Sequence, residues 1–132
     1  MKRFLIIISL FLLVGCSSNN IPEGFDEETL NQKAESIVAL LNNNQLNEVY
    51  TMFRSDIQTM VSVEELDKII SDKLEVIGSF KEISQIAITD TKDPSTSELY
   101  AVVIIVSEHE DGKSTYTISF NKSLEIVGFY IK

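Results

Sequence analysis

A change of hydrophobic period at Gly78 constrains the fold of this chain more than any other feature. Before Gly78, apolar residues recur at spacings of three and four, as on one face of a helix. After Gly78, apolar and polar residues alternate over short stretches, as in strands with one buried face. Helices followed by strands predict an α+β domain, in which the helices pack on one face of an antiparallel sheet.

The longest helices have recognisable start and stop signals. Residues 26–43 are predicted to be helical, because Asp26 can cap the start and acidic residues follow it. Ser62-x-x-Glu65 is a capping box that opens a second helix, and Gly78 should end that helix in a left-handed conformation. The apolar stripes of the two helices are Leu30, Ala34, Ile37, Val38 and Leu41 in the first, and Leu66, Ile69, Ile70, Leu74 and Ile77 in the second.

The segment between these helices also carries a helical pattern. Residues 45–53 place apolar side chains at helical spacing. Ser55-x-x-Gln58 is a weaker capping box, which predicts a further short helix.

Four strands are predicted after Gly78, joined as a meander. They are residues 80–91, 99–106, 113–120 and 124–131, and Asp111-Gly112 marks a tight hairpin turn. The second strand is apolar on both faces, which favours a central position covered on both sides. The predicted core comprises Leu41, Phe53, Ile70, Leu74, Val103, Ile105, Ile118 and Phe120.

Three short motifs carry a resemblance to a known family. They are Gln-Leu-Asn-Glu-Val-Tyr-Thr-Met-Phe at 45–53, Val-Glu-Glu-Leu at 63–66 and Ile-Gly-Ser-Phe-Lys-Glu-Ile at 77–83. Residues 25–131 resemble a bacterial family of unknown function with a nuclear-transport-factor-2-like, or cystatin-like, fold. The resemblance implies helices packed on a four-stranded meander with a pocket between them. Members are secreted or lipid-anchored, and some are fused to an α/β-hydrolase.

The start of the chain reads as a targeting segment. Lys2 and Arg3 precede an apolar run over residues 4–14, which is short of the ~20 residues needed for a membrane span. Leu-Val-Gly-Cys at 13–16 resembles the bacterial lipobox, whose cysteine receives a diacylglycerol and becomes the new N-terminus. We therefore predict a lipoprotein signal peptide at 1–15, a lipidated tether at 16–25 and one α+β domain at 26–132. The alternative is an ordinary secreted protein in which Cys16 is incidental.

This interpretation predicts a protein anchored through the Cys16 lipid on the extracytoplasmic face of the cell membrane. Removing Lys2 and Arg3 with the signal changes the formal charge from −9 to −11. Phosphate binding needs a basic surface, so a nucleic-acid partner is not expected. Cys16 is the only cysteine, which excludes an intrachain disulfide and a cysteine-based metal site.

The chemistry of an active site is hard to find in the sequence. The glycines do not form the Gly-x-Ser-x-Gly elbow of a hydrolase. The single histidine, His109, lies between Glu108 and Glu110 before the hairpin turn, and we interpret it as a solvated hairpin tip in preference to a metal ligand or general base. Alternation should place both glutamates on the opposite face of the sheet from His109. We predict no catalytic residue, cofactor or metal site.

Two groups of acidic residues are the remaining candidates for a metal site or a proton-transfer group. Asp90, Asp93 and Glu98 surround one predicted turn, but their spacing is not that of a calcium-binding EF-hand loop. Glu48 and Asp67 lie in helices beside apolar positions, where desolvation can raise a carboxyl pKa into the catalytic range. Helical spacing places Glu48 off the apolar stripe, which predicts exposure.

The candidate pocket residues are mostly aromatic. They are Tyr50, Met52, Met60, Tyr100, Tyr116 and Tyr130, and the competing interpretation is that they belong to the core. We expect a non-catalytic domain that binds a small apolar ligand, a peptide or another envelope protein. The alternatives are a small pocket enzyme, isomerase- or hydrolase-like, and an assembly module that forms a homodimer through the sheet.

Overall fold

The computed structural model describes residues 20–132, which form one α+β domain, as the change of period predicts. The helices are α1 (Glu27–Asn42), α2 (Leu46–Tyr50), α3 (Ser55–Met60) and α4 (Val63–Ile77). The strands are β1 (Phe80–Lys92), β2 (Leu99–His109), β3 (Gly112–Phe120) and β4 (Ile126–Ile131). They form an antiparallel meander in the order β1-β2-β3-β4.

The predicted signal peptide at 1–15 and the lipidation site Cys16 lie outside the described residues. Within residues 20–132, no helix is both long enough and apolar enough to cross a membrane.

Helix α1 begins and packs as predicted. The Asp26 carboxylate accepts hydrogen bonds from the backbone N–H and the hydroxyl of Thr29, at 2.9 and 2.7 Å. These bonds satisfy a donor that the first helical turn leaves without a partner. The whole predicted stripe of α1 is buried, and it forms one wall of the core.

Helix α4 differs from the prediction on one side and at its end. The capping box is present, with Ser62 Oγ accepting from Glu65 N–H at 3.1 Å. However, Ile69 is 54% exposed, because no element within residues 20–132 covers that side of the helix. Gly78 ends α4 at φ 77° and ψ −164°, a positive-φ conformation that is extended rather than left-handed helical.

Helix α3 is capped differently from the prediction. Arg54 is the residue that precedes the helix, and its side chain makes no capping hydrogen bond, so the proposed Ser55–Gln58 box is wrong. The Gln58 amide instead donates to the backbone carbonyls of Tyr50, at 2.9 Å, and Phe53, at 3.1 Å. Gln58 therefore ties α3 back to the end of α2.

The sheet has one buried face, which is made mainly by β2 and β3. Val103 pairs with Ile118, and Ile105 pairs with Tyr116, and all four side chains are fully buried. Strand β2 is central, as predicted, but it is not covered on both sides. Ile104 and Val106, on its outer face, are only half-buried.

Part of the segment predicted as a tether, residues 16–25, is packed against the domain before α1. Ile21 and Phe25 pack against the core, and Pro22 is buried. The Asn20 N–H donates to the Ile88 carbonyl on β1, at 3.3 Å.

The predicted core is confirmed except at one position. Seven of the eight residues are buried, whereas Leu74 is only half-buried.

We therefore expect Ile70→Ala to lower the free energy of unfolding by about 2–5 kcal/mol, since the truncated side chain leaves a cavity. Leu74→Ala should cost less, and Val76→Ala, at a side chain 76% exposed, should change stability by less than about 0.5 kcal/mol. Urea unfolding measures all three, and a near-neutral Ile70→Ala would contradict the assigned face of α4.

Candidate functional site

An apolar groove of about 490 Å³ lies between α3, α4 and β4. This volume lies within the range of small-molecule sites, which are mostly apolar with a few polar groups. The nine lining residues are Phe53, Ile57, Met60, Val61, Leu66, Ile69, Phe129, Tyr130 and Ile131. The only polar side-chain group in this lining is the Tyr130 hydroxyl.

One wall of the groove is α3, which Tyr50 holds in place. The Tyr50 Oη lies 2.8 Å from the Gln58 carbonyl oxygen and 2.9 Å from that of Val61. These contacts fasten the end of α3 to α2. Because α3 has only six residues and none of them is buried, it stands beside the core without closing onto it.

The floor and the rim of the groove differ in exposure. Leu66 is buried at the floor, and the ring of Phe53 meets that of Phe129 edge-on, with centroids 6.3 Å apart. Three rim side chains, Met60, Ile69 and Tyr130, are 77%, 54% and 62% exposed. Five large hydrophobic side chains are exposed within residues 20–132, and these three line one groove. Contiguous exposed apolar surface of this kind commonly marks an interaction site.

The candidate pocket residues therefore separate into two groups. Met60 and Tyr130 line the groove, and Tyr50 braces its wall. Met52 packs against the core, and its backbone carbonyl accepts from the Ile126 N–H. Tyr116 is fully buried, and its Oη accepts from the Asn42 amide at 3.2 Å. Burial raises the pKa of the Tyr116 hydroxyl, which therefore stays protonated as a core residue.

Tyr100, the remaining candidate, belongs to a polar cluster at the β1–β2 turn. Arg54 makes a bidentate ion pair with Asp56, at 2.7 and 3.0 Å, and donates to the Tyr100 Oη at 3.2 Å. The hydrogen bonds from the guanidinium hold the pKa of Asp56 below its ordinary value. Asp56 is 55% exposed, so this ion pair is solvated and contributes little to stability.

Two of the acidic residues around this turn, Asp93 and Glu98, have structural partners. The Asp93 carboxylate accepts from the Ser95 hydroxyl at 2.6 Å, from the Ser95 N–H at 2.8 Å and from the Thr96 N–H at 3.0 Å. These bonds hold its pKa well below the ordinary value for an aspartate. Within residues 20–132, no three side chains of metal-ligand type are grouped closely enough to hold an ion.

His109 is buried, so its interpretation as a solvated hairpin tip is wrong. It is 4% exposed, and its Nδ1 donates to the Gly78 carbonyl at 3.1 Å. The carbonyl can only accept, so in the neutral imidazole the Nε2 atom accepts from the Ser107 hydroxyl, 2.8 Å away. The residues after α4 fold across the hairpin, which covers the imidazole. Glu108 faces the opposite side, as alternation predicts, and pairs with Lys113 at 3.0 Å.

The two helical acids are exposed. Glu48 is exposed, as its position off the apolar stripe predicts, and Asp67 is exposed as well. Neither side chain lines the apolar groove. The groove consequently has no carboxylate positioned for proton transfer.

Most of the groove was not recognised from the sequence. Ile69 is predicted on the apolar stripe of its helix, and nothing in the sequence distinguishes Ile57, Val61 and Phe129 as groove residues. A periodic pattern shows which face is apolar but not whether another element covers it. One usable signal was present: Ile69 and Ile70 together make the stripe of α4 wider than a single packing face needs.

Comparison with known proteins identifies a family without an assigned function. Residues 34–129 match the family described as "Protein of unknown function (DUF3887)", and the chain therefore belongs to that family. Among curated proteins, none matches this chain. The chain is similar to a solved structure described as "NMR structure of protein from Ruminococcus gnavus ATCC 29149". The two are 26% identical, with a TM-score of 0.72, over 85% of this chain and 96% of the other.

Proposed function

We propose that this member of the DUF3887 family is a lipid-anchored extracytoplasmic protein whose domain works by binding rather than catalysis. The ligand occupies the groove between α3, α4 and β4. The observation that carries this proposal is the lining itself, which offers nine apolar or aromatic side chains and no carboxylate, imidazole or amine. Such a surface gains free energy by burying apolar area, at roughly 25 cal/mol per Å².

The anchor is the Cys16 lipid. Its acyl chains each bury many methylenes at ~0.8 kcal/mol, so they can hold the domain without a membrane-spanning helix. A lipid is also required, because a domain with a formal charge of −11 is repelled by an anionic membrane surface. Since residues 20–25 are packed on the domain, only about four residues separate the lipid from the folded part. The domain is thereby held directly against the bilayer.

The arrangement of helices on one face of a four-stranded meander supports assignment to the nuclear-transport-factor-2-like, or cystatin-like, folds. An enzyme of this architecture would need a titratable group in its pocket, and the groove offers only the Tyr130 hydroxyl.

A homodimer through the outer sheet face would rest on a narrow apolar row. Ile104 and Val106 in that row are half-buried, and Thr115 and Thr117 lie beside them on β3.

Lipidation is tested by changing the cysteine. Cys16→Ala should abolish metabolic labelling with a palmitate analogue, because the thiol is the acceptor of the lipid. The variant should also leave the membrane fraction or retain its signal segment. Ser17→Ala, one residue further along, should be labelled like the wild type. Equal labelling of Cys16→Ala and the wild type would contradict the anchor.

Ligand binding is tested with N-phenyl-1-naphthylamine, a dye whose fluorescence rises in apolar sites. A soluble form beginning at Ser17 should bind the dye, and Met60→Asp should weaken binding by about tenfold, or ~1.4 kcal/mol, because it places a charge at the groove. Val76→Asp is the matched control, since Val76 is 76% exposed and Met60 77%, but Val76 does not line the groove. Absence of dye binding, or equal loss in both variants, would contradict the proposal.

A further inference from the structure

We propose that β4 and the groove together form a strand-addition site, where an extended peptide with alternating apolar side chains pairs with β4 as a fifth strand. The inference rests on the proposed binding function of the groove and specifies the class of ligand. In such recognition, backbone hydrogen bonds provide affinity, and pockets for alternate side chains provide specificity.

The backbone of β4 presents hydrogen-bonding groups beside the groove. Lys132 and Thr115 exchange two backbone hydrogen bonds, both 2.9 Å long. In an antiparallel pair these bonds occur at every second residue. Phe129 and Ile131 therefore direct their N–H and C=O groups away from β3, at the free edge of the sheet.

These outward groups have no partner within residues 20–132. No described backbone or side-chain atom hydrogen-bonds to the N–H or C=O of Phe129 or Ile131 on that side. Both residues also line the groove. An edge with open donors and acceptors is a template for a further strand.

The chain itself begins such a strand and then leaves it. Phe53 forms a parallel bridge with Ile126, on the side of β4 away from β3. The Ile126 N–H donates to the Met52 carbonyl at 2.9 Å, and the Arg54 N–H donates to the Ile126 carbonyl at 3.0 Å. The chain then turns into α3 at Ser55, so the same edge is left open from Phe129 onward. An added peptide continues the line that residues 52–54 start.

The side chains of an added strand would meet the groove. Residues opposite Phe129 and Ile131 point to the same face of the sheet as those side chains, which is the buried face. Leu66 and Ile69 of α4 lie on that side and supply the apolar surface. Every second residue of the peptide should therefore be apolar.

Charge and chain length determine which peptide fits. A domain with a formal charge of −11 favours a peptide with basic flanks and disfavours a second copy of itself. Asn20, the first described residue, hydrogen-bonds to Ile88 on β1, the opposite edge of the sheet. The four residue steps from Cys16 to Asn20 span about 14 Å when extended. The straight distance from β1 to β4 is three strand spacings, which is also about 14 Å. A tether beginning at Cys16 cannot go round the domain to β4, so the occupant is a separate cationic segment.

The test uses the full-length chain in phosphatidylcholine nanodiscs, with empty nanodiscs as background. The probe is a fluorescein-labelled Lys-Thr-Val-Thr-Ile-Thr-Val-Thr-Lys peptide, measured by anisotropy. One version carries N-methyl groups on Val and Ile, and another carries them on Thr. Successive N–H groups of a strand point to opposite sides, so one version should lose at least tenfold in affinity and the other should bind like the parent. The version that loses affinity shows whether the peptide runs antiparallel or parallel to β4.

The remaining outcomes separate this inference from the function on which it rests. Met60→Asp should weaken peptide binding, and Val76→Asp should not. If both N-methylated versions bind like the parent, or both fail alike, strand addition is overturned while the apolar groove stands. If neither the peptide nor N-phenyl-1-naphthylamine binds, the proposed function fails as well. Association of the chain with itself, blocked by Met60→Asp, would replace the peptide with a second copy and overturn the inference.

Discussion

Burial of one face of the β2–β3 hairpin is the constraint on which the rest of the domain depends. Val103, Ile105, Tyr116 and Ile118 are fully buried there, and a sheet face of this kind must be covered by helices. The stripes of α1 and α4 supply that cover, which explains why two long helices precede the sheet. The polar network around His109 then closes one end, joining the residue after α4 to the hairpin through Gly78.

The candidate site lies where the helices no longer cover the buried face of the sheet. Helix α3 is too short to reach across β4, so the apolar side chains beneath it remain open to solvent at the rim. Among residues 20–132, the same gap leaves the outer edge of β4 without a backbone partner beyond Ile126. One structural feature therefore accounts for both the apolar groove and the free edge, and both would serve a single extended ligand.

The sequence predicts the parts of this fold that depend on local signals. The caps at Asp26 and Ser62, the stripe of α1 and the Asp111-Gly112 hairpin all follow from neighbouring residues, and the structure confirms them. Two local predictions, the Ser55–Gln58 box and the left-handed end at Gly78, are also wrong. The other errors concern burial by distant segments. His109 is covered by the chain that follows α4, and residues 20–25 dock on a core formed mainly by later elements. For the same reason, Met60 and Tyr130 could be proposed as pocket residues, but the groove that joins them could not.

Amide hydrogen exchange along β4 tests the central claim most directly. The Tyr130 N–H points toward β3 and should be protected, whereas the Phe129 and Ile131 N–H groups point to the open edge and should exchange many times faster. The measurement needs only the free protein and backbone NMR assignments. Fast exchange at Phe129 and Ile131 beside a protected Tyr130 is the result that an unpaired edge predicts. Protection of all three amides to the same degree would show that the edge is already covered and would contradict the account.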